Sequence, residues 1–444
     1  MSTVTIGSKA DINAMVEPDR VHKRCYTDQA IFDAEIERIF ERTWIYVGHE
    51  SQVKNVGDYY TTLIGRQPVI MVRAKDGKVN VVYNRCPHRG AMLCADHSGN
   101  TGTTFKCPYH AWRFNLDGTL LKIPVIEGYQ GTRFDTSDPQ FHMKKVARVD
   151  SYRGFVFASL VPDVPDLVTF LGGAKIAFDD MCNRAPDGEV EVVPNCFRVI
   201  QKSNWKIFLE NQLDAVHPSI THEAAGRAAF EVEKDIEKRT GKKAHLQYHM
   251  LSAFTMPFHK FDAMDNVGHA NGHLVFRGYM DLRRADPEMV EYLKIMHAKH
   301  GEKRTEEILS VDIHHVIGYP CLSVQPPLQQ LRAIRPIGPD RTLSEIWHFR
   351  LKGAPEGMYR RALAYYQLVN SPSTTINADD LENWWRCQQG LFSSGGDWVS
   401  FHRNAGQDRV QANGTIVSVT GMSELPMRHM MGAWKDYMVK GAAQ

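Results

Sequence analysis

Two short loops in the first third of the chain carry the side chains that hold iron or zinc. Residues 86–90 read Cys-Pro-His-Arg-Gly, and residues 107–112 read Cys-Pro-Tyr-His-Ala-Trp. Each loop offers one thiol and one imidazole, and eighteen residues separate His88 from Cys107. Thiolate with imidazole suits a zinc site or an iron–sulfur centre. Zinc fingers usually pair Cys with Cys on one arm and His with His on the other. Here both arms are mixed. Such arms can give two thiolates to one iron of a [2Fe–2S] cluster and two imidazoles to the other, and neutral imidazoles raise its potential. The remaining cysteines, Cys25, Cys94, Cys182, Cys196, Cys321 and Cys387, are isolated and read as small buried side chains.

A second group lies near the middle of the chain. His217 and His222 are five residues apart, which on an ideal helix turns them about 140° away from each other. Pro218 changes that expectation. It disfavours helical backbone at the preceding residue and predicts a break at His217. Two histidines at a broken helix can converge on one ion. Asp214, three residues before His217, lies on the same side of the unbroken part.

These residues need elements to position them. Residues 28–45 show one apolar face, with Asp28 as a predicted N-cap. From about 57 to 160 the pattern is β. Asp76-Gly77 and Asp117-Gly118 mark hairpins, and residues 154–158 form a short strand. Helices are predicted over 203–217, 283–310 and 379–392, and strands over 274–276 and 342–351. A chain of 444 residues is long for a single core and points to two domains. A formal net charge of +2 gives no reason to expect nucleic acid or an anionic membrane as partner. No stretch reaches the roughly 18 apolar residues of a membrane span, and the first residues do not read as a secretory signal. A cytoplasmic protein is expected. Neither Gly-x-Gly-x-x-Gly nor a P-loop occurs, so no site for a nicotinamide, flavin or nucleotide is expected in the chain itself.

The Cys86/His88 and Cys107/His110 loops resemble the Rieske motif, with Arg89-Gly90, Tyr109 and Trp112 matching what oxygenases carry. There are two departures: a slightly longer intervening stretch, and Ala111 where glycine is common. The segment from Asn211 through Asp214 to His217 and His222 resembles the signature of Rieske non-haem iron aromatic-ring-hydroxylating oxygenases, large (alpha) subunit. That resemblance implies His217 and His222 as ligands of mononuclear Fe(II). The third ligand comes from Asn-Ala-Asp-Asp-Leu-Glu-Asn-Trp at 377–384, where alignment favours Asp380. Asp379 is the alternative; it could instead cap a helix, with Glu382 three residues on. Two His and one carboxylate leave positions open for O2 and substrate.

The resemblance further implies an α+β fold. An antiparallel β Rieske domain (46–163) is inserted near the N-terminus of a larger catalytic domain (164–444), whose antiparallel sheet is flanked by helices in a helix-grip, START-like arrangement. Residues 1–45 form a helical segment packing on the catalytic domain. It implies a [2Fe–2S] Rieske cluster, O2, an aromatic small molecule, and a ferredoxin and/or an NAD(P)H-dependent reductase. Small beta subunits completing an α3β3 assembly are expected, or an α3 trimer otherwise. In such a trimer Asp214 bridges His217 to His110 of a neighbour. By motif offset, Asn211, Gln212, Ser219 and Ile376 border the substrate pocket. The expected reaction is cis-dihydroxylation of an aromatic ring, with monohydroxylation of a salicylate-like acid as the alternative. A Rieske electron carrier or a zinc-stabilised binding protein would lack the second iron site.

Overall fold

The computed structural model describes residues 9–279 and 286–441. Ile39–Phe170 forms one compact unit, and the chain before Ile39 and from Leu171 onward forms the other. The fold is α+β with antiparallel sheets. No described helix is long and apolar enough to cross a membrane.

The inserted unit is β-rich. Ile45–His49 pairs with Phe155–Ser159, which pairs with Arg148–Tyr152; this is why the unit begins before residue 46. Asp58–Ile64, Gln67–Arg73 and Val79–Tyr83 form a meander, and Thr104–Lys106, Arg113–Asn115 and Leu120–Lys122 form another. Both predicted hairpins are present, with Gly77 and Gly118 in the left-handed region at φ +81° and +89°, where a Cβ is strained. A core of Ile70, Val82, Phe105, Trp112 and Phe114 fills the space behind the two Cys/His loops.

The larger unit is built on an antiparallel sheet that counts ten strands among the described residues. Its order is Val190–Val192, Arg341–Leu351, Gln330–Gly338, Leu322–Gln325, Ile313–Gly318, Leu274–Gly278, Asp265–Gly268, Ile416–Val417 and Arg409–Val410. Phe197–Gln201 also pairs with Arg341–Leu351. Helix Trp205–Asn211 packs on strand Gln330–Gly338, and helix Thr375–Leu391 packs on Phe197–Gln201. A sealed ion pair fixes the first of these helices. Lys206 Nζ lies 2.5 Å from Glu35 Oε1 with both side chains fully buried. Glu35 also accepts from the indole N–H groups of Trp205 and Trp434, at 2.8 and 2.6 Å.

Several expected boundaries move. Asp28 does cap a helix, accepting from the backbone of Ala30 and Ile31, but α-helix covers only Gln29–Glu35. A π-helical turn follows over Ile36–Phe40, and Ile45 is in a strand. The helix expected over 203–217 stops at Asn211, because Asp214 takes the N–H groups of Val216 and His217, both at 3.2 Å. A side-chain acceptor there replaces the helix carbonyls. Pro218 starts a short helix, Pro218–Thr221, rather than ending one, and His217 is helical at φ −60°, ψ −34°. Proline at a first helical position loses no bond, since its missing N–H would be unpaired anyway. The helix expected over 283–310 is two, Pro287–His300 and Glu302–Leu309, parted at Gly301 with φ +78°; its residues 283–285 lie outside the described residues. Helix Thr375–Leu391 begins four residues early. Asp379 and Asp380 therefore sit inside it, and Asp379 caps nothing. Of the isolated cysteines, Cys387 is exposed and Cys196 half-buried.

Candidate metal centres and the cavity beside them

The two Cys/His loops are built alike. In the first, Gly90 N–H donates to Cys86 O and Cys86 N–H to Ala91 O; in the second, Ala111 N–H donates to Cys107 O and Cys107 N–H to Trp112 O. Gly90 sits at φ +78° and Ala111 at φ +55°. Ala111 thus occupies the left-handed position a glycine would fill, at a cost of roughly 1 kcal/mol. Buried Asn84, which sequence reasoning missed, clamps the first loop: its amide accepts from Leu93 N–H and Cys94 N–H and donates to Cys94 O.

The donor set fits a two-iron cluster. Burial first, and an interaction with the Cys107 thiol, push the Cys86 pKa up to about 11. The rings of His88 and His110 lie 4.6 Å apart. Nδ1 of each is buried with no hydrogen-bond partner, an arrangement that is costly unless something else binds there. Trp112 stacks on His88 at 4.8 Å and 6°, and Tyr109 tilts over His110 at 3.8 Å. Two buried thiols and two buried imidazole nitrogens without partners, one of each on each loop, match the donor set that the two irons of a Rieske cluster take.

In the larger unit, ligand atoms of His217, His222 and Asp380 all lie within 4.8 Å of one another. Asp380 Oδ1 is 3.3 Å from His222 Nε2 and 3.6 Å from His217 Nε2. The loop between two short helices turns His217 back towards His222, and the third group comes from helix Thr375–Leu391. Asn211 Nδ2 sits among them, 3.0 Å from His217 Nε2 and 3.2 Å from Asp380 Oδ1. Gln212 Nε2 in turn holds the Asn211 carbonyl. Asp379 faces the outer nitrogen of His222, with Oδ2 3.5 Å from Nδ1. Three nitrogen and oxygen donors on one side of a small space suit Fe(II).

Asp214 lies behind His217, with Oδ2 3.3 Å from Nδ1. Its other oxygen accepts from Arg403 Nη2 at 2.8 Å. Burial alone would raise its pKa, but His217 and then Arg403 outweigh burial and hold it down at about 2. Sequence reasoning missed Arg403, which lies 189 residues away in the chain and has no motif around it.

The triad borders a cavity of about 260 Å³. Phe254, Phe276, Met289, Val369 and Ile376 supply apolar wall, and Asn211 and Gln212 also line it. Ser219 is not among the lining residues; its hydroxyl donates to Met256 O at 2.9 Å. Buried Arg332 lines the cavity too. The alternation of Gln330 and Arg332 with apolar neighbours in a strand was its only trace in sequence.

A sheet-based catalytic unit with a His/His/Asp triad, interrupted by a small β unit with paired Cys/His loops, defines a class that the comparisons identify. Residues 43–136 match the Rieske [2Fe-2S] domain, and residues 185–440 match the ring hydroxylating alpha subunit (catalytic domain). The chain is 35% identical to toluate 1,2-dioxygenase subunit alpha of Pseudomonas putida, over 87% of this chain and 83% of that protein. It is 31% identical to biphenyl 2,3-dioxygenase subunit alpha of Rhodococcus jostii (strain RHA1), over 86% of this chain and 80% of that protein. Its fold is similar to that of naphthalene 1,2-dioxygenase with indole bound (TM-score 0.80, 24% identity, 96% of this chain and 94% of that one). The chain belongs to the alpha subunits of the ring-hydroxylating Rieske oxygenases. It is a terminal oxygenase, with a [2Fe–2S] Rieske cluster and mononuclear iron as its cofactors.

Proposed function

We propose that Cys86, His88, Cys107 and His110 hold the cluster, that His217, His222 and Asp380 hold the mononuclear iron, and that the enzyme adds both atoms of O2 to an aromatic ring as a cis-dihydrodiol. The observation that carries this reading is the convergence of the three ligand atoms beside a largely apolar cavity. When bound, the cluster supplies electrons one at a time, and iron with three protein ligands keeps positions for O2 and substrate.

The chain's own residues do the positioning. Asp214 Oδ2, 3.3 Å from His217 Nδ1, backs the ring so that Nε2 points inward. Asp379 does the same for His222. Asn211 borders the triad, with its amide nitrogen beside His217 Nε2 and Asp380 Oδ1, and the Gln212 amide donates to its side-chain carbonyl. Phe254, Phe276, Val369 and Ile376 exclude water and accept a flat apolar ring. Asp214 couples the site to the His110 of a neighbouring subunit in a head-to-tail trimer. Electrons come from an NAD(P)H-dependent reductase, directly or through a ferredoxin, and small beta subunits complete an α3β3 assembly in the cytoplasm.

A single-turnover experiment tests the reaction. Chemically reduced protein is mixed with 18O2 and a panel of arenes and aromatic acids, and products are read by mass spectrometry. Two labelled oxygens in one product are expected. One labelled oxygen would make the enzyme a monooxygenase, and none from iron- and sulfide-replete protein would overturn the reading.

A further inference from the structure

We infer that Arg332 anchors an anionic group of the substrate, so that this site takes aromatic acids as their carboxylates. The inference deepens the oxygenase reading above and rests on it.

Three arginines line the cavity, and two are spoken for. Arg184 pairs with Asp180, and Arg361 with Asp286. Arg332 is different. It is 4% exposed, and its Nε donates to Gln330 Oε1 at 3.0 Å. Its Cζ lies 5.6 Å over the Phe208 ring. Among the described residues no carboxylate forms an ion pair with it. Among the described residues, the two terminal NH2 groups of the fork, which suit a bidentate carboxylate, donate to neither acid nor amide.

Its polar surroundings do not balance the charge. Gln330 and Asn370 are neutral and hydrogen-bonded to each other. His315 and His348 have their pKa values lowered to about 4, by burial above all, with the field of Arg332 adding to it, so neither contributes a charge at neutral pH. Asp380 is the acid whose charge reaches Arg332, and that carboxylate belongs to the triad. With a dication on two neutral imidazoles and one carboxylate, that site keeps net positive charge and Arg332 adds another. Burying an unpaired guanidinium is expensive. A cavity with an apolar wall, an iron site and one unpaired fork is completed by a ring bearing a carboxylate.

The test uses the metal-replete, anaerobic oxygenase and isothermal titration calorimetry with benzoate and with benzamide, its neutral near-isostere. Wild-type protein should bind benzoate at least about tenfold tighter, the low end for a charge-assisted contact. Arg332→Gln should erase that preference while changing benzamide binding less than about twofold, and Arg332→Lys should restore part of it. Equal binding of benzoate and benzamide by the wild type overturns the inference, and this comparison needs no variant to fold. Iron and acid-labile sulfide are measured on the same samples. Full metal content without benzoate preference removes the anchor alone, whereas protein that cannot hold iron removes the oxygenase reading whichever way benzoate binds.

Discussion

Asp379 and Asp380 are neighbours on one helix, and the structure gives them opposite duties. Asp380 Oδ1 lies within 3.6 Å of both histidine Nε2 atoms. Asp379 is 44% exposed at its side chain and faces only the outer nitrogen of His222. Asp380→Asn keeps the shape and removes the only negative charge in the triad. Partners behind a ligand are worth about 10–100-fold in metal affinity. A charged direct ligand is worth more, at least about a thousandfold, or on the order of 4 kcal/mol. Asp379→Asn belongs at the low end of the first range, about tenfold, because its carboxylate is half solvated and 3.5 Å away. The assay is iron retained after anaerobic dialysis, with the Rieske signal by electron paramagnetic resonance as internal control. Asp380→Asn should lose mononuclear iron and keep the Rieske signal, and Asp379→Asn should keep both. Iron retained by Asp380→Asn, or lost by Asp379→Asn, refutes the assignment.

Asp214→Asn (D214N) should keep both metals yet lower coupled turnover by roughly a hundredfold, and full activity with electrons delivered by the partner protein would end the bridging role. Glu35→Gln should destabilise the larger unit by about 3–5 kcal/mol, since it leaves fully buried Lys206 without its counter-charge. Urea unfolding followed by tryptophan fluorescence reads this, and a loss under about 1 kcal/mol would contradict it. Burial, opposed by the Tyr26 hydroxyl and Lys206, raises the Glu210 pKa from 4.5 to about 7. A raised carboxyl pKa favours the protonated folded form, so its contribution is present below pH 4.5, falls away up to about pH 7 and is flat above. The swing is about 2 kcal/mol, discounted for partial solvation. Unfolding midpoints across that window should show the slope in wild type and lose it in Glu210→Gln.

The parts of the site that were legible in sequence are those encoded locally. The loops at 86–90 and 107–112 announce their chemistry because ligand, turn and flanking aromatic stand side by side. Ala111 stood out as a missing glycine, and its φ of +55° gives the reason. The break near His217 was foreseen with the wrong cause. Proline chemistry alone placed it at His217, whereas the helix stops at Asn211 and Asp214 takes the backbone donors of Val216 and His217. That competition depends on where a side chain turns, which spacing does not encode. Arg403 reaches Asp214 across 189 residues, and Arg332 comes to the cavity through the pairing of its strand in the sheet. No local pattern marks them.

The most direct test of the account counts metal. Purified, anaerobically iron-supplemented protein should contain three irons and two acid-labile sulfides per chain, two irons in the cluster and one at the triad. It should show a Rieske signal on reduction, and Asp380→Asn should remove one iron and no sulfide. Zinc in place of iron, absent sulfide, or two irons that no supplementation raises to three would contradict the central claim.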